Sequence, residues 1–482
     1  MRYQRAQRLA LADWFVIGLT GYGGLVALLF VIASVSVERS VALDLIADSP
    51  IAWAYPIFCG LAIVGVWLAI WLFTGSEREI ANLNTPGRHK LKVNPKLIAR
   101  VTLLGWAALI LGAASYWLYA RSYGGFSNLL QYSAGIRAGL VDVDDNAYTF
   151  LKRFGGFCFL ASLLFGGALL SRGKSTVMWL QSCVGFIVSF LASLFILYSW
   201  EGRLGLVTFA LVVPFGYLVH RHGVGIKLLR NAAILSLIPL FALPASSALW
   251  GKSAESDNIS SFFIRELSFP LNSFSQAYEN NSIRYMKDVL AAPLFLLPTR
   301  VWKGMLGLDT ASDVNTENVM GKRKGQRGST TAVPIDFITF CYMQASFLGM
   351  LLVGFIFGAL LCILDRFLMK RFEGAVYAML YSYSVLFVSG MSALYADPKH
   401  ILNRNFHFVV GLFLLWWLCK SIKLNRDEPA QAGRKSRVEH ADSVFTGMVA
   451  IGVDTVGLTA KGEITTGFGN AECPESAKFR FV

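Results

Sequence analysis

A bundle of about ten membrane-spanning helices is the fold this sequence predicts, and three observations predict it. The first is composition. Of 482 residues, 55% are apolar and 15% charged, with a mean hydropathy of +0.52. An ordinary soluble domain carries about 25% charged residues. That balance excludes a disordered chain, a coiled coil, a disulfide-rich secreted scaffold and a DNA-binding domain. The second is continuity. Apolar residues run in stretches near 13–36, 51–74, 101–120, 154–171, 176–199, 204–220, 231–249, 337–364, 374–393 and 405–421. Each approaches the roughly 20 residues a helix needs to cross the hydrocarbon core. None shows the alternation of a barrel strand, and a helix satisfies its own backbone in lipid.

The third observation is where the positive charge falls. The N-terminus carries Arg2, Arg5 and Arg8, and the segment 75–100 carries Arg78, Arg88, Lys90, Lys92, Lys96 and Arg100. Short links hold Arg172 and Lys174, then Arg221, Lys227 and Arg230, then Arg366, Lys370 and Arg371, and the C-terminal segment begins with Lys420 and Lys423. With ten spans, all of these share one side, which the positive-inside rule makes the cytoplasm, so both termini are expected inside. The formal charge of +14 is then a set of anchors facing anionic lipid rather than a nucleic-acid surface.

Taken in order, the first stretch is too long for a signal-peptide core and is expected to remain as an anchor. Two loops of substance face outward, 121–153 and 250–336, the second between helices 7 and 8. Within it, VLAAPLFLLP at 289–298 is too short to span. It is expected either to lie on or re-enter the bilayer surface, or to form a small packed helix of the loop. The expected domains are a transmembrane domain over 1–423 and a disordered cytoplasmic tail over 424–482, polar and basic at first and then rich in Gly and Thr.

Several chemistries lack their motifs. There is no G-x-x-x-x-G-K-[ST] phosphate loop, no H-E-x-x-H and no G-x-S-x-G elbow. The six histidines do not cluster at ligand spacing, so neither a metal nor a cofactor is expected.

The outward arginines carry the information. Glu201, Gly202 and Arg203 form a tight outer turn opening a span. The long loop adds Arg265 and Glu266, then Arg284 and Lys287, then Arg300, Trp302 and Lys303 in LPTRVWKG, and the basic run GKRKGQRG at 321–328. The first outer loop adds Arg121 and Arg137. Arginine suits bidentate recognition of phosphate, while any one of these groups taken alone also fits a solvated or snorkelling charge.

On these residues the chain resembles the Wzy-type oligosaccharide repeat-unit polymerases of bacterial O-antigen and exopolysaccharide synthesis. Gly202-Arg203 is similar to the family's S-R-G or G-R-G turn, also seen in O-antigen ligases. LPTRVWKG at 297–304 resembles an I-P-R-x-x-W-x-x-K-P element late in the large outer loop. YMQASFLGMLLVGFIFG at 342–358 resembles a Y-x-N-F-G-x-x-G pattern, with Gln344, Ala345, Ser346 and Gly349 at those places and Gly354 and Gly358 beyond. The departures are Lys303-Gly304 for K-P and Gln344-Ala345-Ser346 for the N-F-G core. The resemblance covers roughly residues 100–420.

The resemblance implies a metal-independent, multi-span type C glycosyltransferase in the bacterial inner membrane, its active site facing the periplasm. Donor and acceptor would be glycans on undecaprenyl diphosphate, with a flippase and a chain-length-regulating co-polymerase as partners and no nucleic acid. Arg203 and Arg300, then Arg265, are expected to stabilise the leaving diphosphate, with Arg137, Arg284 and Lys303 assisting its binding. Glu266, Asp336 and Glu201 are candidates for the base. Tyr278, Tyr285 and Trp302 are candidates for stacking on sugars, with anchoring at the lipid interface as the other reading of Trp302. The rivals are an O-antigen ligase acting on lipid A core and a polyprenyl-glycan flippase or transporter.

Overall fold

A computed structural model describes residues 8–35, 51–74, 95–138, 148–171, 175–200, 203–235, 259–297, 300–322 and 333–420. All lie in one unit, Met1–Leu424; the second unit, Asn425–Val482, and with it the expected tail, lies outside the described residues.

The α-helices in chain order are α1 Leu11–Val35, α2 Tyr55–Thr74, α3 Pro95–Arg121, α4 Phe126–Ala138 and α5 Phe157–Leu170. They continue with α6 Thr176–Ser199, α7 Arg203–His222, α8 Ile226–Leu235, α9 Ile259–Glu279 and the short α10 Lys287–Ala291. The remainder are α11 Ala311–Met320, α12 Phe337–Arg371, α13 Gly374–Tyr383, α14 Met391–Leu394 and α15 Pro398–Cys419. Turns of 3-10 helix at Thr149–Gly156 and Ala292–Leu296, and wide π turns at Arg300–Met305 and Ser384–Gly390, link some of them.

Among the described residues, nine helical segments are long and apolar enough to cross a membrane. The chain is an all-helical, polytopic membrane protein. The expected span 231–249 is described only to Leu235, where α8 ends, and most of it lies outside the described residues.

Helix starts follow from local chemistry. The Ser175 hydroxyl caps α6 by accepting from the Met178 N–H at 3.3 Å. Asp336 caps α12, and Asp397 caps α15 with Pro398 at the first helical position. Thr310 and Asp313 form a capping box at the start of α11.

Small residues draw α2 and α12 together. A Cβ at Gly65 would collide with the Leu351 carbonyl, and one at Gly354 with the Ala62 carbonyl. Such close backbone approach is how helices associate where lipid removes the hydrophobic drive.

The two ends of the bundle differ. At one, Arg8 binds Asp365 at 2.8 Å and the Tyr377 hydroxyl at 3.0 Å. Beside it Trp14 Nε1 donates to the Tyr381 hydroxyl, which in turn donates to the Leu9 carbonyl. The other end, marked by Lys399 at the start of α15, gathers α10, α11 and the turns at 149–156, 292–296 and 300–305.

Candidate functional site

At the Lys399 end, α12 does not run straight. At Ala345 and Ser346 the backbone leaves the helix, with Ser346 at φ 54° and ψ −140°. The break exposes the carbonyls of Met343 and Gln344. The segment Arg284–Met286 takes them up: the Arg284 N–H donates to Met343 at 2.6 Å and the Met286 N–H to Gln344 at 2.8 Å. The buried backbone therefore keeps its partners despite the break.

Asp288 lies at the centre of this knot, fully buried. Its oxygens accept from Arg284 Nε at 2.5 Å and Nη2 at 3.0 Å, from the Ala311 N–H at 3.1 Å and from Gln344 Nε2 at 2.9 Å. Its own N–H donates to Gln344 Oε1 at 3.3 Å, and Arg284 Nη2 also donates to the Asp309 carbonyl at 2.8 Å. The knot locks the long loop, through α10 and α11, onto the broken helix.

A second buried carboxylate fastens α11 to α15. Asp397 accepts from the Ser312 N–H at 2.9 Å and from the Lys399 N–H at 2.8 Å. Burial pushes its carboxyl above the ordinary carboxylate value, against the pull of those N–H groups and of the Lys399 charge. For Asp313, burial acts in the same direction, but the Lys399 charge, the Thr310 hydroxyl and the Lys303 charge outweigh it and hold the carboxyl below its ordinary value.

Around this frame three segments bring cations together. From the 149–156 turn, Lys152 lies over the rings of Trp200 at 5.6 Å and Tyr119 at 5.9 Å. Its neighbour Arg153 reaches the carbonyls of Leu296 and Leu297 at 3.5 and 3.3 Å, which joins the first loop to the second. The 300–305 turn contributes Lys303, which is exposed. From α15, Lys399 Nζ lies 5.1 Å from the centre of the Trp302 ring.

The remaining cation, Arg404, is the least satisfied. Half-buried one turn past Lys399, it lies 4.9 Å from the centre of the Tyr395 ring. Among the described residues it has neither a carboxylate nor a hydrogen-bond acceptor. A cation over a ring gains about 0.5–2 kcal/mol. Taking a charge fully out of water costs several kcal/mol, so the contact with Tyr395 offsets only part of that.

Below Arg404 the interior is polar and aromatic. The Tyr383 hydroxyl lies 3.0 Å from Asn405 Oδ1 and 3.1 Å from His407 Nε2. His407 meets Phe159 edge-on at 5.2 Å, and Phe159 meets Trp200 at 5.8 Å. A small cavity opens nearby, lined by Tyr116, Tyr119, Lys152, Ser199 and Trp200 among others.

No family model, curated protein or solved structure matches the chain.

The residues expected from the sequence distribute unevenly over this geometry. Arg203 opens α7 just after Trp200, and Arg300 opens the 300–305 turn; the backbones of both lie at the Lys399 end. Arg265 and Glu266 lie within α9, and Arg137 in the last turn of α4. The side chains of these five, together with Glu201 and the run 323–328, lie outside the described residues. Arg284 is committed to Asp288. Asp336 is fully buried and already accepts from the Tyr55 hydroxyl at 2.6 Å, from the Ile338 and Thr339 N–H groups and from the Thr339 hydroxyl. It is the cap of α12, with both oxygens taken up by these donors.

The aromatic candidates also divide. Trp302 is fully buried, edge-on to Phe295 at 5.3 Å, so its ring is covered by protein rather than by sugar or lipid. Tyr285 is 82% exposed, and Tyr278, at 39%, packs on Tyr342. Of the segment 289–298, residues 289–296 form part of α10 and the turn behind it, packing inward through Ala291 and Phe295 and presenting Leu290 outward, and residue 298 lies outside the described residues.

Sequence reasoning passed over Lys152, Arg153, Asp288, Lys399 and Arg404. For Arg404 the available signal was Asp397-Pro398, a cap and first-turn pair that starts α15 well before the apolar stretch.

Proposed function

We propose that this chain is a glycosyltransferase that polymerises undecaprenyl-diphosphate-linked repeat units into a surface polysaccharide at the outer face of the bacterial inner membrane. The observation that carries the reading is the gathering of Lys152, Arg153, Lys303, Lys399 and Arg404, with the backbones of Arg203 and Arg300, at one end of a membrane bundle. A lipid-linked diphosphate is the ligand such a basic, aromatic-walled end would suit. The resemblance of Gly202-Arg203, LPTRVWKG and the 342–358 span to repeat-unit polymerases supports the same reading.

In the proposed reaction a hydroxyl oxygen of the acceptor glycan attacks the anomeric carbon of the donor. The bond from that carbon to the diphosphate oxygen breaks, and the polyprenyl diphosphate leaves with the bonding pair. Arg203 and Arg300 stabilise the charge that develops there. The acceptor proton passes to a base, for which Glu266 and Glu201 remain the candidates. Positioning both glycans in line supplies much of the acceleration. A flippase would supply the substrate, and a co-polymerase would set product length.

The test is a host strain carrying Arg203→Ala or Arg300→Ala at wild-type membrane abundance, with surface glycan resolved by length on a gel. Loss of a single oxyanion-type donor is expected to cut the rate by about 10²–10³. Long chains should vanish while single repeats still reach the surface. Long glycan accumulating on the carrier would indicate a ligase, repeats trapped inside would indicate a flippase, and an unchanged ladder would remove both arginines from the mechanism.

A further inference from the structure

We propose that Arg404 is the inner anion-binding residue of this end of the protein, and that the ligand it takes is the diphosphate of a polyprenyl lipid. The proposal names a residue for the site described above and rests on that reading for the identity of the lipid. The anion site itself rests on geometry.

Four observations lead to it. Arg404 lies in the second turn of a membrane span rather than in a loop, because α15 begins at Pro398. Its guanidinium is half-buried against the Tyr395 ring, with no acid and no acceptor among the described residues. Charged groups inside membrane spans are rare and face one another, a cavity or a ligand pathway. Of the other half-buried arginines, Arg8 and Arg284 each have a carboxylate within 2.8 Å, and Arg100 and Arg153 donate to backbone carbonyls. Each of these four has an acceptor within the fold, and among the described residues Arg404 has none.

The surroundings fit a phosphate-bearing lipid. Lys399 stands one turn nearer the helix start, and Lys152 stands across from it over Trp200. An anion moving inward would pass these cations first. It would then meet Arg404, whose planar fork can donate two parallel N–H bonds to phosphate oxygens. Below Arg404 the fully buried pair Tyr383 and His407 closes the floor, so the charged group stops there and the chain of the lipid stays in the membrane.

The test uses the purified full-length protein in detergent, with undecaprenyl diphosphate, undecaprenol and inorganic diphosphate as probes. Undecaprenyl diphosphate is expected to bind best. Arg404→Ala should weaken it by about tenfold to a hundredfold, the loss of one or two charge-assisted bonds. Arg371→Ala, which removes an exposed arginine stacked on Trp416 at the far end of α12, should leave binding unchanged. Tight binding of inorganic diphosphate that is also lost in Arg404→Ala would support the anion site while making the ligand a free anion rather than a lipid. Equal affinity of Arg404→Ala and the wild type would overturn the proposal, as would equal losses in Arg404→Ala and Arg371→Ala.

Should Arg404→Ala fail to fold, phenylglyoxal labelling of the wild type decides instead. Arg404 should react in the free protein and be protected by undecaprenyl diphosphate; labelling that the lipid leaves unchanged would overturn the proposal. The two readings fail separately. An unchanged glycan ladder in Arg203→Ala and Arg300→Ala counts against the polymerase mechanism and leaves lipid binding at Arg404 intact. Undiminished binding in Arg404→Ala counts against this residue and leaves the polymerase standing.

Discussion

Arg284 and Arg404 lie at the same end of the bundle, and the chain surrounds them in opposite ways. Arg284 is held by both oxygens of Asp288 and by the Asp309 carbonyl, and Asp288 is held in turn by Ala311 and Gln344. Arg404 has a tyrosine ring. The first arrangement is complete within the protein. The second has no acceptor among the described residues, and the proposed anion would complete it. Structural arginines and ligand arginines can therefore be told apart by what the fold has placed opposite them, which sequence position alone does not reveal.

The largest expected effect comes from opening the complete arrangement. Asp288→Ala leaves the Arg284 charge buried without its acid and two further donors without their acceptor. Breaking one partner of a buried pair costs about 3–5 kcal/mol. Thermal unfolding in detergent should show a large drop, and the double variant Arg284→Met/Asp288→Leu should recover much of it. Arg404→Met offers the opposite result: with no partner left unpaired, the unliganded protein should be as stable as the wild type or more so. Equal losses in Asp288→Ala and Arg404→Met would erase the distinction between the two sites.

The helix break gives a smaller effect of either sign. Ser346 occupies a left-handed backbone that costs a non-glycine residue about 1–3 kcal/mol. Ser346→Gly should relieve part of that strain and raise the unfolding temperature. Gly349→Ala should lower it, because the added Cβ would collide with the Cys341 carbonyl, and overpacking of this kind costs about 1–3 kcal/mol. If both changes were neutral, the break would not be a fixed feature holding the Arg284–Met286 segment in place.

What the sequence revealed and what it concealed follow from the same physics. Hydropathy located the spans because lipid demands long apolar runs, and α2, α6, α12 and the span beginning at Gly374 begin within a few residues of where those runs predicted. It misplaced the start of α15, expected at 405, because Lys399, His400, Asn403 and Arg404 lower the hydropathy of the first turns. That displacement put Arg404 in a loop, where an arginine attracts no notice. The motif at 342–358 drew attention for its glycines, and Gly354 does pack against α2. The break at Ala345–Ser346 was not legible, since Gln-Ala-Ser has no strong breaker; long-range hydrogen bonds to Arg284 and Met286 stabilise it. As a lone carboxylate near the outer loop Asp336 suits a base, yet an Asp immediately ahead of an apolar helix is a standard cap.

The smallest effect sharpens the comparison through pH. Asp313 and Asp397 both lie near Lys399, with carboxyls displaced in opposite directions. A carboxyl depressed in the folded state adds stability above its unfolded value, near 3.9, and loses it as pH falls through the folded value. The difference in unfolding temperature between the wild type and Asp313→Asn should therefore be full near pH 6 and shrink below about pH 4. Asp397, raised by burial, behaves inversely: its ionised form is the disfavoured one, so its contribution improves as pH falls through the raised value. Asp397→Asn removes that term, although it also alters the cap of α15. A wild-type advantage over Asp313→Asn that is constant across pH would mean that Lys399 and Lys303 do not act on Asp313, and would leave Lys399 free to serve an incoming anion alone.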